Sequence, residues 1–137
     1  MKSKHIQAYM KCAEAFAECS NDKRLKVGSV IVKDNRIISC GYNAHAEHIN
    51  DPNQLEDGTT DPRVRHSEKN ALMGLIRSNQ SAVDATMFCT HACCKFCAID
   101  IVDSGIKRFF IKFRSLRTAA MQISTYVLDL GSGGSSC

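Results

Sequence analysis

Apolar side chains fall at Ile6, Tyr9, Met10, Ala13, Phe16 and Ala17, the three-and-four spacing of a helix that buries one face, so residues 4–19 are expected to be helical. Ser20-Asn21-Asp22 then ends the pattern. The period changes at Val27-Gly28-Ser29-Val30-Ile31-Val32, a β-branched run, and again at Arg36-Ile37-Ile38-Ser39-Cys40, with Asp34-Asn35 between them; this reads as a β-hairpin. Residues 41–65 are polar and carry both prolines, Pro52 and Pro62, so they are expected to form a long loop of the kind that serves a site. His66 opens a second helix through Ala71, Leu72, Leu75 and Ile76. Thr86–Thr90 is a short strand, and a third helix starts near Cys94 and stops at Ser104-Gly105, with the glycine as a left-handed cap. Arg108–Ile111 is a further strand, residues 115–123 a helix, and Tyr126–Leu128 a last strand. A hairpin followed by alternating strands and helices predicts an α/β sandwich whose second half is mostly parallel.

The 137 residues suit one domain with a real core, taken as residues 1–130. Gly131–Cys137 has linker composition and is left out of the fold, so Cys137 is read as an exposed thiol and not as a ligand. Apolar residues make up 44% and charged residues 23% of the chain, which excludes disordered, collagen-like and coiled-coil classes. No apolar run approaches a membrane span, and Met1-Lys2-Ser3-Lys4-His5 does not open a secretory signal, so a cytoplasmic protein without a membrane partner is expected. A net charge of +4 suits a small anionic ligand but is thin for a nucleic-acid footprint.

In a reducing compartment, clustered cysteines are metal ligands before they are disulfides. Cys12, Cys19, Cys40 and Cys89 are read as small buried apolar residues. Cys94 and Cys97 are spaced to share one face of a helix start, where thiolates are favoured, and His66 opens the other helix. One imidazole and two thiolates suit Zn2+ with a fourth position left for water, whose proton zinc makes available near neutral pH. Glu68, two residues from His66, is placed to take that proton and return it elsewhere. H-x-E together with C-x-x-C is a recognised pattern of the zinc-dependent nucleobase deaminases. Cys93 stands where that pattern has proline and is an alternative ligand by spacing; His91 is a spare imidazole read as a strand-end polar residue.

From about residue 7 to residue 111 the chain resembles the deoxycytidylate (dCMP) deaminase family of the cytidine deaminase superfamily. The matching stretches are RLKVGSVIVKDNRIISCGYN, HSEKNAL and THACCKFCAIDIVDSGIKR, and Asn70 favours the dCMP branch over tRNA adenosine deaminases. The resemblance implies a three-layer α/β/α sandwich around a five-stranded mixed sheet. It also implies one catalytic zinc on His66, Cys94 and Cys97, and Glu68 as the proton shuttle. By the same resemblance Asn43 contacts the deoxyribose, amides near Ser67 bind the cytosine carbonyl, and the protein is a homo-oligomer, often a hexamer. Arg24 is the favoured phosphate partner, with Lys23 and Lys26 as alternatives; each is equally a solvated charge before a strand. Phe113 and Arg114 follow a strand at a substrate-facing position and could as well be core and surface. Ala44 stands where a glycine is usual and no cysteine lies between Cys40 and Cys89, so neither an effector response nor a second, structural zinc is expected, although His45 and His48 are candidate ligands.

The implied reaction is hydrolysis of dCMP to dUMP and ammonia, supplying thymidylate synthesis. Two other readings stand beside it. One is a deaminase of a different cytosine substrate: the nucleoside, the triphosphate or a single-stranded nucleic acid. The other is a structural zinc module with Cys93 or His91 as a fourth ligand.

Overall fold

The computed structural model describes residues 1–114 and 123–129. Its elements in chain order are α1 (Ser3–Ala17), β1 (Gly28–Lys33), β2 (Arg36–Tyr42), α2 (Ser67–Ile76), β3 (Thr86–Cys89), α3 (Lys95–Asp103), β4 (Arg108–Arg114) and β5 (Ile123–Asp129). One sheet runs in the order β2-β1-β3-β4-β5. The β1–β2 hairpin forms where the residue pattern places it, and its turn takes Asp34 to φ 51° and Asn35 to φ 59°, the paired left-handed conformations that suit short polar side chains. Gly105 adopts φ 85° after α3, as a left-handed cap should.

Side chains alternate across the sheet, and each face collects its own helices. Val30, Val32, Phe88 and Phe110 face α1, where Met10 and Ala13 cover them. Phe88 stacks on Phe110 with ring centroids 4.7 Å apart, and Tyr9 leans on Phe88 at 5.4 Å. Ile31, Met87, Cys89, Phe109 and Ile111 face the other way, against Ala71 and Leu75 of α2 and Ile101 of α3. Two glycines set the helix distances: a Cβ on Gly28 would meet the Ala13 carbonyl oxygen at 1.9 Å, and one on Gly41 would meet the Ser67 oxygen at 2.4 Å and the Ala71 nitrogen at 2.5 Å. α1 and α2 therefore rest directly on strand backbone from opposite faces.

The second half is less parallel than the sequence pattern implied. Among the described residues only β3 and β4 pair parallel, while β1–β3 and β4–β5 are antiparallel. A parallel return needs a crossover of about a dozen residues, and residues 115–122 are too few to supply one. The helix expected over 115–123 lies outside the described residues except for Ile123, which opens β5; the tail from 131 lies outside them as well. Burial corrects part of the cysteine reading. Cys89 is fully buried and Cys12 partly so, but Cys19 and Cys40 are exposed, because Cys19 lies beyond the last turn of α1 and Cys40 sits on the edge strand β2. Among the described residues no helix is long and apolar enough to cross a membrane.

The loop expected from residue 41 begins after Tyr42, because Gly41 and Tyr42 still pair with β1, and it is pinned by the isolated bridges Ala44–Arg65 and Gln54–Thr60. Asn70 of α2 donates to the carbonyls of Tyr42 at 2.8 Å and Ala44 at 3.1 Å, fastening the loop's start to the helix. His45 is buried, 3.0 Å from the Pro52 carbonyl and 3.8 Å from Asp61. Arg63 forks between Asp61 at 2.8 Å and Asp51 at 2.7 Å.

Gly41→Ala should lower the stability of the fold by about 1–3 kcal/mol, read as a lower urea midpoint at unchanged slope. A second expectation concerns acid. The Arg63 side chain and its backbone N–H hold the Asp61 carboxyl down to about 2. Its contribution to stability is thus complete above the ordinary carboxylate range near pH 4 and is lost as pH falls towards 2. Thermal unfolding measured from pH 5 to 2 should show that loss in the wild type, and Asp61→Asn should be less stable at neutral pH with a flatter profile over the same interval.

Candidate active site and metal centre

α2 and α3 begin side by side, and the residue before each helix carries the chemistry. His66 precedes α2 at φ −64° and ψ 159°, and Cys94 precedes α3 at φ −74° and ψ 165°. Both are extended, the backbone of a residue that precedes a helix. His66 Nδ1 lies 3.3 Å from Cys97 Sγ and 3.4 Å from Cys94 Sγ. The three donor atoms lie within 4.8 Å of one another, the one group of three or more candidate ligands among the described residues. Cys94 Sγ also accepts from the Cys97 N–H at 3.4 Å, the capping bond of α3.

This donor set fits a zinc ion. Nitrogen at about 2.0 Å and sulfur at about 2.3 Å from a tetrahedral ion stand about 3.5 Å from each other, close to the spacing found. Burial, then the Glu68 charge, pushes the Cys97 thiol well up, so a thiolate there requires a cation beside it. Three protein ligands leave one tetrahedral position over. Cys93 is outside the cluster and packs against the core under α2 and α3. His91 is outside it too: its Nδ1 lies 2.8 Å from Thr90 Oγ1, and burial, with Lys112 adding to it against the pull of Glu68, lowers its pKa. His45 belongs to the loop and joins no group of ligands among the described residues.

The cluster opens on a cleft of about 390 Å³ lined by Asp22, Arg24, Asn43, Ser67, Glu68 and His91 among others. Glu68 is 3% exposed. Its Oε1 accepts from Ser67 Oγ at 2.5 Å and from Cys89 Sγ at 3.1 Å, with Ser29 Oγ at 3.4 Å. The Ser67 hydroxyl is thus spent on Glu68. Asn43 lines the cleft while its side chain braces the chain ahead of β1, donating to the Leu25 carbonyl at 2.8 Å and accepting from the Val27 N–H at 2.9 Å. One amide hydrogen and one lone pair remain to it. Arg24 lines the cleft and donates to the Gly58 carbonyl at 3.0 Å.

The two lysines given as alternatives to Arg24 are not among the residues lining the cleft. Lys26 does not line the cleft; it pairs with Glu18, just past α1, at 3.8 Å. Lys23 is exposed, its backbone N–H bonded to Gln54. The side chains of Phe113 and Arg114 lie outside the described part of the chain. Sequence reasoning missed Asp22, which holds the segment carrying Arg24. Burial raises its carboxyl, but bonds from the Leu25 and Arg24 amides and from Asn53 and Gln54 outweigh it and leave the pKa lowered. The available signal was an aspartate just after a helix end and two residues before an arginine, the spacing of an Asx turn.

Residues 3–113 match the family described as the cytidine and deoxycytidylate deaminase zinc-binding region. The crystal structure of dCMP deaminase from the cyanophage S-TIM5 in complex with dCMP and dUMP superposes with a TM-score of 0.78 at 39% identity, covering 81% of this chain and 82% of that one. Deoxycytidylate deaminase of Mycobacterium phage D29 is 32% identical over 114 residues, 73% of this chain and 88% of the phage protein. Deoxycytidylate deaminase of Saccharomyces cerevisiae is 33% identical over 111 residues, and there the chain spans only 34% of the relative's length.

Adding Co2+ to metal-free protein should produce thiolate-to-metal charge-transfer absorption. It should be weakened in Cys94→Ala and in Cys97→Ala and kept in Cys93→Ala; equal loss in Cys93→Ala would move a sulfur ligand to that residue.

Proposed function

The chain belongs to the cytidine and deoxycytidylate deaminase family, and from that premise we propose that it is a zinc-dependent dCMP deaminase, hydrolysing dCMP to dUMP and ammonia and so feeding thymidylate synthesis. The observation that carries this reading is a His/Cys/Cys donor set with one tetrahedral position over, sharing a cleft with a buried carboxylate. The dCMP and dUMP bound to the cyanophage S-TIM5 enzyme, and the similarity to deoxycytidylate deaminase of Mycobacterium phage D29, support the choice of dCMP.

His66, Cys94 and Cys97 hold the metal. When bound, zinc supplies a Lewis acid that makes water an effective nucleophile near neutral pH. Water adds to C4 of the cytosine ring while Glu68 takes one of its protons and places it on N3. Glu68 then carries the second proton from the new C4 hydroxyl to the amino group, the C4–N bond breaks, and ammonia leaves, with the uracil ring of dUMP remaining. The backbone amide at Ser67 binds the cytosine carbonyl and Asn43 binds the deoxyribose with the hydrogen-bonding capacity left to it. Arg24 meets the phosphate, which a guanidinium can grip with two parallel bonds. The catalytic unit is residues 1–130, acting in the cytoplasm as a homo-oligomer, a hexamer by family resemblance, with no membrane or nucleic-acid partner.

A cleft lined by the Arg24 guanidinium favours a monophosphate over the free nucleoside. Assayed against cytidine, deoxycytidine, dCMP, dCTP and single-stranded DNA, the protein should turn over dCMP saturably and leave the polynucleotide unchanged. Glu68→Gln should keep its zinc and lose roughly 10²–10⁴-fold in kcat. Full activity in that variant refutes the shuttle.

A further inference from the structure

Glu68 sits in a pocket built by the sheet, and the strand register fixes what that pocket contains. β1 and β3 run antiparallel with Ser29 directly opposite Cys89. Both side chains point to the face covered by α2, and both residues are fully buried, as is Ser67. Residues 29, 67 and 89 are far apart in the chain, yet their three side chains gather around one carboxylate oxygen. Ser29 Oγ is 2.7 Å from Ser67 Oγ, Ser67 Oγ donates to Glu68 Oε1 at 2.5 Å, and Cys89 Sγ donates to the same oxygen at 3.1 Å.

Donor counting gives the arrangement a direction. Each hydroxyl has one hydrogen. Ser67 spends its hydrogen on Glu68, so the short Ser29–Ser67 contact is made with the hydrogen of Ser29. The result is a relay, Ser29 to Ser67 to Oε1, joined by the thiol of Cys89. Burial, and after it the Glu68 charge, keeps Cys89 protonated and therefore a donor.

We propose that Ser29 and Cys89 are positioning residues for the deamination, a hydroxyl–thiol socket that fixes Oε1 of Glu68 against the sheet and leaves Oε2 as the oxygen that moves the proton. The proposal rests on the reading of Glu68 as the proton carrier. The two close donors, Ser67 and Cys89, occupy the lone pairs of Oε1, with Ser29 Oγ beyond them at 3.4 Å, so the carboxylate cannot rotate to exchange its oxygens without breaking bonds to buried groups. A carboxylate held in one orientation reaches the attacking water and N3 in turn without a search, and rate is sensitive to such placement. Neither residue touches substrate.

Cys89→Val keeps the volume and removes the thiol donor, Ser29→Ala ends the relay, and Cys89→Ser restores a donor. Cys89→Val and Ser29→Ala should each lower kcat roughly 5–20-fold with KM for dCMP within about twofold and zinc content unchanged. Cys89→Ser should stay within about threefold of wild-type kcat, a rescue that loss of packing alone would not give. In the Glu68→Gln background, Cys89→Val should lower kcat no further. A direct readout needs no turnover: the S–H infrared band that disappears in Cys89→Ser should shift to higher frequency in Glu68→Gln, because the thiol loses a charged acceptor. An unmoved band, or a fall confined to KM or zinc content, overturns the proposal. Loss of activity in Glu68→Gln with normal kcat in both single variants overturns the socket alone; full activity in Glu68→Gln overturns the proton-carrier reading and the socket's role with it.

Discussion

His66 and Cys94 are each the last extended residue before a helix, and the sheet beneath holds the two helix starts so close that their donor atoms stand 3.4 Å apart. Unpaired N–H groups and the positive end of the helix dipole gather at that point from two directions, which favours thiolates and any anion drawn into the cleft. The approach is possible because α2 rests on the backbone of Gly41 and α3 lies beside it over Cys89, Phe109 and Ile111. Metal ligands, carboxylate and cleft all follow from that one packing arrangement.

Local chemistry was easiest to read. The hairpin, the helix behind His66, the helix behind Cys94 and the glycine that closes it are each written in a few adjacent residues, and each formed within a few residues of its expected bounds. The same holds for the grouping of His66 with Cys94 and Cys97, since two short motifs that each open a helix need only a common sheet to meet. Pairing direction was harder. The alternation of strands and helices implied parallel strands after the hairpin, whereas among the described residues β3 and β4 are the one parallel pair.

What stayed hidden depends on register and on which way a side chain leaves the surface. Cys89 was legible as buried, but nothing near it in sequence reveals that Ser29 lies across from it or that Glu68 lies above both. Cys19 and Cys40 have the same composition signal as Cys89, yet one lies past a helix end and the other on an edge strand, and both are exposed. Lys26 and Arg24 are two residues apart in one basic stretch; one turns to Glu18 and the other to the cleft, a distinction set by α1 and by the bonds Asp22 makes to the intervening chain.

The pairing of β1 with β2 skips a step between Ile31 and Val32, where β2 carries one residue more than its partner. That bulge lies between the Ser29 end of the strand and the exposed Asp34-Asn35 turn, about 16 Å away along β1 at the usual rise per residue. The ladder is therefore divided into a stretch that serves the chemistry and a stretch that does not. The outer stretch can absorb extra loop length at the tip without passing the disturbance inward, which makes the far corner of the first hairpin the natural attachment point for an epitope or a fluorescent label.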